Sequence, residues 1–468
     1  MDFNTQNVKI ETSNNNNNKN KNKNVPHGLS GIVNTGNTCY MNSAIQALSH
    51  NYLLTNYLFR ERDNILDTLK KNARIIFKDD PKFEIDAVNG ISVSLKQKIH
   101  NPNYHPNMLT ENEIIIICNH TFTSQLIKLL ENMWMKNCIV IPTSFKKVFS
   151  EARNKFFFGD EQHDAEEAYS CIIQKIQEEL VTEKNIKFKV SESVQDFINF
   201  KNNIVYKLNN CTNEEEIQKI KKNFVQVNKE HPIEILTIEA CREMKKYYSG
   251  IYNPATQKYN GGTYSQITEL FSGFLHSSTR CPNKSCGYVS NKFDPFLLLQ
   301  LSLETSETHN SIYELMKEFS TEKQLDEHNL WNCDSCNNKV CAIKCLKLWK
   351  APPVLVIQLK RFKQHISGRF IKDNSLIKYP ENNFDISSII SPSQLQHTKT
   401  CYTYRLHCVI NHEGGRDGGH YYTYCIDEDS EVWYEYNDKI VTKISRQKII
   451  SRFAYLLFYI REDLKFRS

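Results

Sequence analysis

A thiol becomes a useful nucleophile where its surroundings favour the thiolate, and the start of a helix, with free N–H groups and a positive dipole end, is such a place. Cys39 has that address: the polar loop Asn34-Thr35-Gly36-Asn37 gives way after Thr38 to Met41, Ala44, Ile45 and Leu48, the spacing of a helix with one buried face. Free N–H groups there are also able to hold an oxyanion, with the amide of Asn34 as a second candidate donor. The chain carries fifteen cysteines, and a cysteine at a helix start is as a rule a packing residue, so position alone does not assign Cys39 a role. Thiol hydrolysis further requires an imidazole beside the sulfur and a third group that holds the imidazole in place. Gly418-Gly419-His420-Tyr421-Tyr422-Thr423-Tyr424 runs through the polar Asp427-Glu428-Asp429-Ser430 into Val432-Trp433-Tyr434-Glu435-Tyr436-Asn437-Asp438, the pattern of a β-hairpin. A turn centred between Glu428 and Asp429 sets His420 opposite Asn437 with Cβ atoms ~4.5–5.5 Å apart, close enough for the amide to orient the ring. His407, His412 and His163 compete for the role of base; the Gly-Gly approach, which lets a substrate backbone come close, favours His420.

Two further groups of residues carry chemistry. Cys281-Pro-Asn-Lys-Ser-Cys286 and Cys333-Asp-Ser-Cys336 are cysteine pairs in turn-rich settings, the arrangement a tetrahedral thiolate zinc site wants. The gap in the first pair is wider than the usual two residues, so a metal-free remnant stands as the alternative; Cys341 and Cys345 are nearby but not chosen. Asp164 precedes a second helical pattern, Ala165, Ala168, Cys171, Ile172, Ile176 and Leu180, where it reads as an N-cap.

The elements that must position these residues change in kind along the chain. Residues 1–26 are dominated by Asn and Lys and are expected to be disordered. Helical periodicity is gathered early, and residues 182–262 are charged, with Glu214, Glu215 and Glu216 ahead of Lys219, Lys221 and Lys222, as in an insertion. After Phe271 short strand patterns take over: Phe293–Leu303, Val354–Phe362, Tyr402–Asn411, Tyr421–Ile426, Val432–Tyr436 and Tyr455–Ile460. Helices first and strands later predict an α+β architecture. The formal charge of +6 is small for 468 residues and partly resides in the tail, so neither nucleic acid nor any other acidic partner is demanded. The odd cysteine count, the absence of a signal-like N-terminus and the lack of any long apolar run place the chain, as an expectation, in reducing cytoplasm or nucleus with no membrane span.

The string Gly28-Leu29-Ser30-Gly31-Ile32-Val33-Asn34-Thr35-Gly36-Asn37-Thr38-Cys39-Tyr40-Met41-Asn42-Ser43 closely resembles the cysteine box of ubiquitin-specific proteases, and the stretch around Gly419 and His420 resembles their histidine box. Glu161-Gln162-His163-Asp164-Ala165-Glu166-Glu167 is similar to the family's Gln-Gln-Asp-Ala-x-Glu box with His163 in place of the second Gln, and Ala454–Tyr459 closes the likeness, which spans about residues 28–460. The resemblance implies a papain-like fold shaped as a right hand: a helical thumb at 28–180, fingers at 271–350 and an antiparallel-sheet palm at 351–462, all within a catalytic domain of residues 27–462. It implies a thiol-dependent deubiquitinase that cuts the isopeptide or peptide bond at the C-terminal glycine of ubiquitin, with ubiquitin and ubiquitinated proteins as partners and no catalytic cofactor. Cys39 is then the nucleophile, His420 the base, Asn437 its orienter and Asp438 a supporting carboxylate. Asp164, Gly419 and Tyr421 grip the ubiquitin tail, and Cys281, Cys286, Cys333 and Cys336 hold a structural zinc in the fingers. Two readings from other classes compete: a catalytically silent ubiquitin-binding scaffold, and a zinc-ribbon nucleic-acid binder. Residues 62–120 and 182–262 lie outside the likeness.

Overall fold

The computed structural model describes residues 28–77, 93–253, 258–303, 310–364, 370–397, 400–415 and 418–464; the Asn/Lys tail lies outside them. The centre of the molecule is an eight-stranded sheet, the palm. Its strands run in the order Ile440–Lys443, Val432–Asn437, Gly419–Asp427, Thr403–Gly414, Ala454–Arg461, Val354–Lys360 and Leu299–Ser302, with Phe384–Asp385 added beside Thr403–Gly414. All neighbours are antiparallel except the last pair on the path, Val354–Lys360 with Leu299–Ser302. Side chains alternate across a pleated strand, and both faces here are covered. Val354, Val356, Leu456, Phe458 and Ile460 join the core shared with the helical thumb. Leu355, Ile357, Leu359, Leu457 and Tyr459 join a second core against the helix Ile312–Ser320.

The helix Cys39–Ser49 lies on the thumb face of this sheet, and every one of its residues is buried. A helix buried on all sides must satisfy its polar side chains internally. Gln46 Nε2 donates to the Ser30 carbonyl at 2.7 Å, Trp134 Nε1 donates to Ser49 Oγ at 2.9 Å, and Thr423 Oγ1 of the sheet donates to the Ser43 carbonyl at 3.2 Å. The second expected helix forms as Ala165–Glu179 and packs across the first, sharing its core through Ala168, Ile172 and Ile176.

Within 62–120 the described residues include the helices Arg62–Ile76, Val93–His100 and Glu111–His120, around a small core of Ala73, Phe77, Leu95, Ile99, Leu109 and Ile117. The charged stretch folds as Glu192–Asn210, Glu214–Glu230 and Pro232–Ser249, followed by a hairpin of Gly250–Asn253 and Lys258–Gly261 that lies ahead of the point where strands were expected to begin. Its last helix is fixed to the fingers by Ala240, Met244 and Tyr248 packed against Phe274, Phe293 and Trp349. The fingers are a four-stranded sheet in the order Val289–Phe296, Gly273–Arg280, Ile343–Lys350 and Lys323–Gln324.

Candidate active site and cysteine cluster

The loop before Cys39 is held in a fixed shape by its own short side chains. Asn34 Oδ1 accepts from the Thr38 backbone N–H at 2.9 Å and from Thr38 Oγ1 at 3.2 Å, while Thr38 Oγ1 accepts from the Thr35 N–H at 3.1 Å. Gly36 and Asn37 take left-handed backbone angles, φ 96° and 47°, which suit a glycine and an asparagine and little else. This closed loop delivers Cys39 to the first position of its helix, as the apolar spacing predicted. Cys39 is 3% exposed.

The palm brings His420 to it from about 380 residues away in the chain. His420 Nε2 lies 2.7 Å from Asn437 Oδ1, and the Cys39 sulfur stands near enough to the ring to raise its pKa. With Nε2 taken by Asn437, Nδ1 is the nitrogen left for the sulfur. The Cys39 sulfur lifts the imidazole to about 9; burial opposes this, and Asn437 and the charge of Asp438 add to it. His407 and His412 are buried and pushed down, to about 3 and about 4, chiefly by that burial, so neither is a base for the sulfur. His163 packs its ring against Tyr40, Phe156 and Phe157 instead.

The hairpin register differs from the expected one by two residues. Asp427 pairs with Val432, Glu428–Glu431 make the turn with Glu431 at φ 52°, and Thr423 faces Tyr436. His420 is therefore diagonal to Asn437 and not opposite it. A slip of two keeps a side chain on its own face of the sheet, and a diagonal neighbour is within reach of two long side chains, so the pair still meets.

Asp438 follows in a two-residue turn at φ 50° and fastens palm to thumb: its carboxylate accepts from Asn34 Nδ2 at 3.0 Å and Asn42 Nδ2 at 2.8 Å, and its carbonyl from the Ile32 N–H at 2.8 Å. This corrects the role expected for Asn34. Its amide is engaged with Asp438 and Thr38, and among the described residues no hydrogen bond joins it to Cys39.

Gln162, quoted in the sequence motif but given no role, is the residue beside the sulfur. Its Nε2 is 3.8 Å from Cys39 Sγ and donates to the Gly419 carbonyl at 2.6 Å, while its Oε1 accepts from the Gly419 N–H at 3.2 Å. The carboxamide thus pairs with Gly419 as the backbone of an adjacent strand would. A Cβ on Gly419 would lie 2.3 Å from His412 Nε2 and 2.7 Å from the Glu413 carbonyl, so glycine is required by crowding. Motif position in the sequence could have pointed to Gln162; its partner, a backbone edge far along the chain, could not be read there.

Asp164 is the N-cap of its helix, accepting from the Glu166 N–H at 2.8 Å, and its other oxygen accepts from Tyr455 OH at 2.6 Å. Burial lifts this carboxyl to about 6 against the pull of the Tyr455 hydroxyl. Tyr421, expected to touch substrate, is 4% exposed; its ring is packed between His412, at a centroid distance of 4.4 Å, and Tyr455, at 6.0 Å. Alternation along the strand turns it toward the thumb core, where it supports Tyr455.

At the far end of the fingers the ligand atoms of Cys281, Cys286, Cys333 and Cys336 all lie within 4.8 Å of one another, with Sγ–Sγ distances of 4.0 Å for Cys281–Cys336 and 3.7 Å for Cys286–Cys333. Four thiolates on a zinc ion with Zn–S near 2.3 Å stand ~3.8 Å apart, so the set fits a metal. The wide first gap is absorbed by a turn in which the Cys286 and Gly287 N–H groups both donate to the Asn283 carbonyl, at 3.0 and 2.9 Å. Each second cysteine is followed by a left-handed residue, Gly287 at φ 57° and Asn337 at φ 53°, so the two knuckles match.

A helix-start thiol, an imidazole and an amide meeting between a helical lobe and a sheet define a cysteine-type hydrolase of papain-like architecture. The profile of ubiquitin carboxyl-terminal hydrolases matches residues 30–459. The chain belongs to that family. It is 48% identical over 446 residues to a probable ubiquitin carboxyl-terminal hydrolase, R319, of Acanthamoeba polyphaga mimivirus, covering 94% of this chain and 92% of that protein. Cellular relatives match over a shorter span: ubiquitin carboxyl-terminal hydrolase 15 of Homo sapiens is 38% identical over 148 residues, 31% of this chain and 14% of its own length. The fold is shared with Ubp8 in a SAGA DUB module bound to monoubiquitin, at a TM-score of 0.56 and 21% identity over 94% of this chain and 71% of that one.

Proposed function

We propose that Cys39, His420 and Asn437 are the catalytic set with which this thiol-dependent deubiquitinase releases ubiquitin from conjugated proteins. One observation carries the assignment: a single imidazole is held by Asn437 Oδ1 at 2.7 Å and has its pKa raised by the helix-start sulfur of Cys39 beside it. In this reading the Cys39 sulfur attacks the carbonyl carbon of ubiquitin's terminal glycine, and the backbone N–H at the helix start together with Gln162 Nε2 receives the oxyanion. His420 gives its proton to the departing lysine amine. It then takes one from the water that cleaves the thioester, and free carboxylate leaves.

The free enzyme holds this site shut. The Gln162 carboxamide occupies the backbone edge of Gly419 on which a substrate tail would pair, so tail entry requires that pair to part. Beyond it, Asp164 and Tyr455 supply a buried carboxyl and hydroxyl suited to a cationic, extended tail. Zinc on Cys281, Cys286, Cys333 and Cys336 would tie the two knuckles together and is structural here, since those sulfurs lie in the fingers and away from Cys39. A site that needs free thiols supports the expectation of a reducing compartment, cytoplasm or nucleus.

The test is a ubiquitin vinyl-type active-site probe on the full chain. Wild-type protein is expected to be labelled and Cys39→Ala is not; wild-type protein that binds ubiquitin but resists the probe would make the chain a silent scaffold instead.

A further inference from the structure

Beneath the helix that carries Cys39, on adjacent strands of the palm, lie two more thiols that the reaction does not use. Cys408 and Cys425 face each other in register, both have no exposed surface, and their sulfurs are 3.2 Å apart. Directly opposed residues on antiparallel strands have Cα atoms ~4.5–5.5 Å apart, inside the ~4.4–6.8 Å that a disulfide spans, so a bond here needs no backbone movement. The surroundings are not those of an inert packing cysteine. The Cys425 sulfur lies 3.8 Å from the Gln46 carbonyl, and His50 stands at the same place, its Nδ1 2.9 Å from that carbonyl and its Nε2 2.7 Å from Tyr436 OH. Against burial, the Cys408 hydrogen bond and His50 bring the Cys425 thiol down to about 6, while the neighbouring Cys425 raises His50 against its own burial.

We propose that Cys408 and Cys425 are a modification site, separate from Cys39, at which a peroxide closes an intramolecular disulfide. The Cys425 sulfur attacks a peroxide oxygen, the O–O bond breaks, and a sulfenic acid and one water result. The Cys408 sulfur then attacks that sulfur; the S–S bond forms, and the hydroxyl leaves as a second water carrying the thiol's proton. Two thiols lose two electrons, and hydrogen peroxide is reduced to two waters. His50, whose two ring nitrogens are engaged by Gln46 and Tyr436, favours the Cys425 thiolate by its nearness, and the proton that Cys425 gives up goes to the departing peroxide oxygen. Hydrogen peroxide is neutral and small, so brief local openings between the helix Cys39–Ser49 and the sheet admit it.

The experiment exposes the full chain to hydrogen peroxide, blocks remaining thiols with N-ethylmaleimide in denaturant, and maps peptides without reduction. A linked peptide containing Cys408 and Cys425 is expected, reversible by dithiothreitol and formed equally in Cys39→Ser protein. His50→Gln, which keeps both sulfurs, is expected to slow the linkage by at least about tenfold. In Cys408→Ala the Cys425 sulfur is expected to be trapped by dimedone as the sulfenic acid. Separate maleimide adducts on Cys408 and Cys425 in protein whose Cys39 is fully oxidised would overturn the proposal, as would linkage of either residue to a different cysteine.

Discussion

Replacing Asn437 by Ala tests the geometry of the site most directly, because the change removes one hydrogen bond from one ring nitrogen and leaves the sulfur, the helix and the Asp438 turn in place. A hydrogen bond to a charged group contributes ~1.5–3 kcal/mol when sheltered from water. In the free enzyme the His420 imidazole is partly open, so the bond is screened and counts for about 1 kcal/mol, equivalent to about 0.7 of a pH unit. The sign follows from the acceptor: Asn437 Oδ1 favours the protonated ring, so its loss lowers the pH at which the ring gives up its proton. The alkaline limb of kcat/KM, set near 9 by His420, is therefore expected to move down by about 0.7 of a pH unit. In the transition state the bound tail covers the ring and the full value is lost, so kcat falls by about 10–100-fold. Asn437→Asp keeps the acceptor, adds a charge and moves the limb upward. Hydrolysis of ubiquitin carrying a C-terminal fluorogenic amide, followed between pH 6 and about 10.5, reads both effects. An alkaline limb that stays at its wild-type position in Asn437→Ala, with kcat unchanged, would refute the assignment of Asn437 as the group that holds the His420 ring.

Two further outcomes are expected. Stripping metal with a thiol-compatible chelator, or changing Cys286→Ser, lowers the melting temperature and releases one zinc per chain to a colorimetric indicator, while a folded enzyme with no bound metal at purification would reject the zinc reading. Because the Asp164 carboxyl titrates near 6, it is neutral below that pH and charged above it, so KM for ubiquitin substrates rises as pH falls through about 6; Asp164→Asn raises KM at neutral pH by about tenfold and flattens that dependence, a result checked by steady-state kinetics at pH 5.5 and 7.5.

The place of Cys39 at a helix start was legible because it is prepared locally. The loop residues that fix its shape and the apolar spacing that makes the helix all lie within a few positions of it. The approach of His420 to Asn437 was legible through the hairpin that joins them, even with the register misplaced by two residues, because a two-residue slip preserves the face of the sheet. The four cysteines were legible as pairs. Their convergence on one point was not, since it depends on fingers strands that carry two knuckles to the same end.

Three features escaped for a shared reason. Asn34 sits five residues before Cys39 and was expected to serve it, but a carboxylate about 400 residues away holds its amide. Gln162 acquires its position from a glycine whose backbone, not side chain, is the partner, and backbone edges leave no mark in a residue pattern. The resemblance implies a substrate contact for Tyr421, whereas the pleat turns it into the core.

Sequence alone determined which residue types stand ready and which local elements present them, since helix starts, hairpins and knuckles are set by interactions within a few residues. Tertiary structure decided who meets whom: thumb and palm are joined through Asp438, Gln162 pairs with the backbone of Gly419, and a dithiol is left under the helix that begins at Cys39. Those contacts are made between segments hundreds of residues apart, where packing of whole layers, and no local rule, sets the distance.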